Sequence, residues 1–181
     1  MSGRLIAVVG PSGAGKDSVA AAMVARRPAL HWVRRVVTRP AEPGGEPFAP
    51  ASEAEFARAE AAGAFALSWR AHGLAYGVPR AELSCLSEGG DALVNLSRAV
   101  LAEAQARFPA LTVLHVTAPP EVRAERLAAR GRETRQEIAG RLAREAPLPG
   151  GLRVVRIDNS TTVAAAADAA LAALDRQEAL P

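Results

Sequence analysis

Several residue types are scarce in this sequence, and each scarcity closes off a class of function. Cys85 is the only cysteine, so an intrachain disulfide and a cysteine-ligated metal cluster are excluded. His31, His72 and His115 are scattered with no metal-ligand spacing. Aromatic residues make up 4% of the chain, too few for an evident base-stacking platform, and the arginines are spread out. Nucleic acid is therefore not an expected partner. Long apolar runs are missing as well. The first, Leu5-Ile6-Ala7-Val8-Val9, is too short for a signal peptide or a membrane span, so no membrane contact is expected and the cytoplasm is the default location. Lysine is the rarest charge: among 22 basic residues, Lys16 alone is not arginine.

What is present describes one α/β domain. The 181 residues are 49% apolar and 23% charged, a globular composition with enough chain for a proper core. The net charge of +3 suits anionic substrates. Strands are expected at Leu5–Val9, His31–Val37, Asp91–Leu96, Leu111–Val116 and Leu152–Ile157, each an apolar run bounded by turn residues. Helices are expected at Lys16 to about Arg27, about Arg98–Arg107, Pro119 to about Arg130, a second arginine-bearing stretch to about Glu145, and Thr162–Ala179. A capping box, Ser52-Glu53-Ala54-Glu55, opens a further helix to about Ala62. Ala64–Trp69 and Leu74–Val78 read as a hairpin turning at His72-Gly73, and Pro79 to about Ser87 as a short helix. Thr38 to Pro50 is rich in proline and glycine and reads as a loop. Alternating strands and helices imply a mostly parallel sheet covered on both faces, with ligands beyond the strand C-termini. Arg39, Asn95, Thr117 and Asn159 fall at or near such ends.

The strongest motif lies between the first strand and the first helix. Gly10-Pro11-Ser12-Gly13-Ala14-Gly15-Lys16-Asp17-Ser18 has the spacing of a phosphate-binding P-loop in the strand–loop–helix context that motif requires. Its glycines let backbone N–H groups curl toward phosphate oxygens, and the helix start adds unpaired donors. The sole lysine falls where a compact ammonium fits a phosphate cradle and a planar guanidinium would not. The motif wants Ser or Thr after the lysine as a Mg²⁺ ligand. Here that residue is Asp17, with Ser18 next, about 100° further round the helix.

The P-loop, Thr38-Arg39-Pro40, Tyr76-Gly77, the Arg126-Leu127 to Arg130-Gly131 run and Arg141-Leu142 together resemble the guanylate kinase fold over nearly the whole chain. Gly15-Lys16-Asp17-Ser18, Leu67-Ser68-Trp69 to Tyr76-Gly77 and Val94-Asn95-Leu96-Ser97-Arg98 are similar to the ribose 1,5-bisphosphate phosphokinases, the phosphonate-degradation branch of that family. The resemblance implies a guanylate kinase-like P-loop fold over residues 1–181: a core at 1–37 and 91–181, an acceptor-binding region at about 38–90, and a lid at about 130–141. It departs from guanylate kinase where Glu42 stands for an arginine of the acceptor loop, Phe48 for a phosphate-binding tyrosine, and Ser68-Trp69 for a guanine-reading carboxylate. A site built on such a carboxylate loses its purine when the carboxylate goes.

The reaction the resemblance implies is γ-phosphoryl transfer from ATP to an existing phosphate of a small sugar phosphate. That acceptor is already ionised at neutral pH, so the work is positioning and charge neutralisation. Lys16 and the loop would hold ATP with Mg²⁺. Arg39 and Tyr76 would hold the acceptor phosphate, with Trp69 and Asn95 in the same pocket. Arg130 and Arg141 would close on the transferring group, and Asn159 would lie at the adenine. Arg123, Arg132, Arg135 and Arg144 read as a solvated helix face. Asp17 is the expected Mg²⁺ ligand, with Asn95 at the strand end where a carboxylate is usual; Asn95→Asp is expected to rescue Asp17→Ser in part. The alternatives are a guanylate or other nucleoside monophosphate kinase and a non-catalytic binding module of the same fold. A kinase acting on sugar hydroxyls is less apt, because no general base is evident.

Overall fold

The computed structural model describes residues 3–40, 46–129 and 147–178. Its centre is β1 (Leu5–Val9), buried along its whole length. Leu5, Ala7 and Val9 face one core, Ile6 and Val8 the other, as period-two alternation requires of a strand covered on both sides. Around it runs a five-stranded parallel sheet in the order β2 (His31–Trp32), β7 (Ala92–Asn95), β1, β8 (Thr112–Thr117), β9 (Val154–Asp158). On one face α1 (Lys16–Arg26) packs Val19, Ala20 and Met23 against Ala166, Ala167, Ala170 and Leu174 of α5 (Val163–Glu178). The small alanines let α5 lie close. On the other face lie α3 (Leu101–Arg107), through Leu101 and Ala104, and part of a second sheet.

That second sheet has the order β4 (Phe48–Pro50), β3 (Arg35–Val37), β6 (Leu74–Pro79), β5 (Phe65–Ala71). Leu67, Trp69 and Val78 join it to the main core. Phe56 of α2 (Glu53–Ala61) closes its far side against Phe65 and Ala75. The expected hairpin is β5–β6, and His72 in its turn has φ 53°. The expected helix after Pro79 is a 3₁₀ helix, Arg80–Leu86.

Two expectations need correction. His31–Val37 is not one strand: β2 ends at Trp32 in the parallel sheet and β3 begins at Arg35 in the second. Val33 N still donates to Leu93 O at 2.9 Å, so the chain changes sheets at Arg34, whose own N–H goes to Glu82 Oε2 at 3.0 Å. Both sheets share one core, so the apolar run continues across the change. The stretch from Thr38 to Pro50 is not all loop either, because β4 pairs in parallel with β3, Arg35 opposite Phe48.

The capping box forms as the sequence predicts. Ser52 Oγ accepts from Glu55 N at 3.2 Å, and Glu55 Oε2 accepts from Ser52 N at 2.8 Å. Removing the cap with Ser52→Ala is expected to cost about 1 kcal/mol, a drop of about 2–4 °C in Tm by thermal melting. An unchanged Tm would show that tertiary contacts alone hold the start of α2.

Candidate active site

The P-loop sits at the C-terminal end of β1, between β7 and β8, where this sheet topology opens a crevice. Gly15 takes φ 83° and caps α1 in the left-handed region. A Cβ there would lie 2.4 Å from Asn159 Nδ2, and one at Gly13, φ 80°, would lie 2.7 Å from Arg123 O. Only glycine meets both conditions. Pro11 and Ala14 are buried, Ser12 is half-buried and Ser18 is exposed. Lys16 Nζ donates back to Gly10 O at 3.0 Å and Pro11 O at 3.2 Å, curled over its own loop.

Asn159 is only 1% exposed. Its Nδ2 donates to Ala14 O at 2.8 Å, its backbone N to Thr117 O at 2.8 Å, and its carbonyl accepts from Arg126 Nη2 at 2.9 Å. It therefore braces the loop from behind. The Arg126 interaction has no counterpart in the sequence reading. Arg123 corrects an expectation: it is 3% exposed, not on a solvated face, because α4 (Pro120–Ala129) turns it beneath Gly13.

On the other side of the loop, Asp17 and Asn95 meet. Asn95 Nδ2 donates to Asp17 Oδ1 at 2.7 Å and also to Glu46 Oε2. Glu46 is held by Arg35, whose Nε donates to Glu46 Oε1 at 2.7 Å, with Nη2 on the same oxygen. Burial pushes the Glu46 carboxyl above its ordinary range and the Asp17 charge adds to this, while Arg35 and Asn95 pull it down. Arg35 also covers two rings. Trp69 and Tyr76 stack with centroids 5.2 Å apart and planes 6° apart, and the guanidinium lies 5.4 and 5.1 Å from their centroids. Trp69 is buried and packs in the main core; Tyr76 is half-buried.

Arg39 lies over the Phe48 ring at 4.6 Å, and its Nε is buried with no partner among the described residues. Thr38 fixes this turn, its Oγ1 accepting from Ala75 N at 2.8 Å and its N–H donating to Ala75 O at 3.0 Å. A cavity of about 410 Å³ opens here, lined by Thr38, Arg39, Pro40, Pro50, Ala51, Ser52 and Glu55.

The structure thus gathers Lys16, Asp17 and Asn95 beyond the C-terminal ends of β1 and β7, with Tyr76 and Trp69 joined to them through Arg35 and Glu46. Arg130, Arg141, Glu42, Arg132, Arg135 and Arg144, together with the second arginine-bearing helix, lie outside the described residues. Arg35 and Glu46 are the residues that sequence reasoning missed. The one available signal is Arg34-Arg35, which interrupts the apolar run at the change of sheet.

No family model matches the sequence. The chain is 51% identical over 180 residues to the ribose 1,5-bisphosphate phosphokinase of Ruegeria sp., covering 98% of this chain and 94% of that one. To the protein of that name from Azotobacter vinelandii it is 49% identical over 174 residues, covering 94% and 95%. Among solved structures, the guanylate kinase of Anaplasma phagocytophilum superposes with a TM-score of 0.74 at 18% identity, covering 99% of this chain and 88% of that one. A gluconokinase from Sinorhizobium meliloti gives 0.58 at 20% identity, covering 97% and 93%. At such identities the structural likeness bears on the fold alone.

Proposed function

The chain belongs to the ribose 1,5-bisphosphate phosphokinase family, and on that premise we propose that it transfers the γ-phosphoryl group of ATP to a phosphate oxygen of ribose 1,5-bisphosphate, yielding 5-phosphoribosyl 1-diphosphate. The observation that carries this reading is the near-full-length identity to proteins of that name. The P-loop adds support, because left-handed Gly13 and Gly15 give the backbone the curl that turns N–H groups toward a polyphosphate.

ATP with Mg²⁺ supplies the group to be transferred and part of the charge that neutralises it. Lys16 would exchange two neutral carbonyl acceptors for anionic phosphate oxygens, which form stronger charge-assisted bonds. Asn159 keeps the loop in shape by holding Ala14 O. Arg39, whose Nε has no partner among the described residues and which lines the cavity, suits the acceptor phosphate. Tyr76 and Trp69 reach the site only indirectly, stacked under Arg35 beside Glu46. On the resemblance alone, Arg130 and Arg141 are assigned to the transferring phosphoryl group.

Asp17 suits Mg²⁺: its carboxylate is half-exposed beside the loop, with Oδ1 fixed by Asn95. Asp17→Ser is expected to raise the Mg²⁺ needed for half-maximal rate about tenfold. Full activity at low Mg²⁺ would remove Asp17 from the metal. The contacts of Asn95 argue against a rescue by Asn95→Asp. The Asn95 amide donates to both Asp17 and Glu46, so with Asp17 already replaced a carboxylate there would face Glu46 and lose the remaining bond. Asp17→Ser/Asn95→Asp is expected to be no better than Asp17→Ser.

The function itself is tested by ADP release with ribose 1,5-bisphosphate, GMP, AMP and gluconate side by side. The bisphosphate is expected to turn over fastest. GMP turning over fastest would replace this reading with that of a guanylate kinase.

A further inference from the structure

Phosphoryl transfer as described gives Glu46 no task, yet its setting is elaborate. The Arg35 and Glu46 side chains are 12% and 9% exposed and paired with each other. Arg35 lies over Trp69 and Tyr76, so the aromatic face that a planar ligand would stack on already carries a guanidinium. Beside the pair, Asn95 is 6% exposed and gives its Nδ2 to both carboxylates. Its Oδ1 is buried with no partner among the described residues. A buried acceptor without a donor is costly, and so marks a place where a ligand's donor belongs. The cluster therefore offers hydrogen-bond acceptors, the Glu46 carboxylate and Asn95 Oδ1. An ionised phosphate has no proton to give them. The secondary hydroxyls of a pentose do.

We propose that Glu46, oriented by Arg35 and flanked by Asn95 Oδ1, accepts hydrogen bonds from the secondary hydroxyls of the sugar acceptor and is a specificity-determining residue of the enzyme. This rests on ribose 1,5-bisphosphate being the acceptor. A site built around a hydroxyl rejects the analogue lacking it, because its own buried acceptors are then left unpaired. The 2-deoxy and 3-deoxy analogues of the bisphosphate are the discriminating ligands.

The test measures initial rates of wild type, Glu46→Gln and Arg35→Met/Glu46→Gln on ribose 1,5-bisphosphate and on each deoxy analogue, with ATP and Mg²⁺ varied separately. Wild type is expected to prefer the ribose compound over at least one deoxy analogue by about 100-fold or more in kcat/KM. Glu46→Gln is expected to lose at least about tenfold of that preference, through acceptor KM, with KM for ATP changed by less than about twofold. The double variant removes the enclosed ion pair as a unit and leaves methionine on the rings, so it guards against misfolding of a half-pair. It is expected to lose the preference equally. A wild type that discriminates less than about threefold overturns the proposal with no variant needed. So does a preference that survives in both variants, or a Glu46→Gln effect confined to Mg²⁺ requirement, which would place the carboxylate on the metal. A wild type inactive on all three bisphosphates but fast on GMP would instead overturn the proposed function, and this assignment with it.

Discussion

Lys16→Met is expected to lower kcat/KM by about 10³-fold or more, roughly 4 kcal/mol of lost transition-state stabilisation. Lys16 is the only ammonium-bearing side chain in the chain, and its Nζ sits on Gly10 O and Pro11 O at the mouth of the loop. No second lysine can substitute, and an arginine would not fit the same compact position. Methionine keeps the aliphatic stem, so the melting temperature is expected to hold while nucleotide affinity and turnover fall. Both are read directly, by calorimetry with ATP and by ADP release. If neither changes, the loop does not hold the triphosphate and the proposed chemistry fails with it.

Gly15→Ala is expected to be nearly as severe, for a different reason. The left-handed backbone costs an alanine about 1–2 kcal/mol. Its Cβ would also press to 2.4 Å from Asn159 Nδ2, displacing a buried amide from Ala14 O. A buried group left unpaired adds about 1–3 kcal/mol. Together these predict a clear fall in Tm and a loss of ATP affinity of about 100-fold. The two causes separate in a double-mutant cycle. Asn159→Ala removes the obstacle along with the brace, so Gly15→Ala/Asn159→Ala should cost at least about 1 kcal/mol less than the sum of the singles. Additivity within about 0.5 kcal/mol would mean that the two residues do not meet as described.

The donor side of this site could be read from sequence because its parts are contiguous: strand, glycines, lysine and helix follow one another from Leu5 to Arg26. On the proposed acceptor side, Arg39, Tyr76, Trp69 and Asn95 stand out in the sequence through the resemblance, but Arg35 and Glu46 do not. Arg35 and Glu46 are joined by parallel pairing of β3 with β4, and β4 lies in a stretch whose prolines and glycines signal loop. The change of sheet at Arg34 is equally hidden, since Val33 feeds a core that both sheets share and Val37 is buried as well. Asn95 and Asp17 were each singled out for their positions, but that one amide would touch two carboxylates depends on Glu46 arriving from 49 residues away. Arg123 is misleading because it stands among Glu121, Glu125 and Arg126, yet it shares the buried face of α4 with Leu127, one turn on, beneath Gly13.

The stacked rings beneath Arg35 have an optical consequence. Tyr76 is the only tyrosine and Trp69 one of two tryptophans, and with centroids 5.2 Å apart excitation absorbed by the phenol passes to the indole. The emission of that indole shifts with the charge beside it, here the Arg35 guanidinium at 5.4 Å. With Trp32→Phe removing the other emitter, ultraviolet fluorescence alone would report a sugar bisphosphate arriving at Glu46 as proposed, without label, nucleotide or turnover.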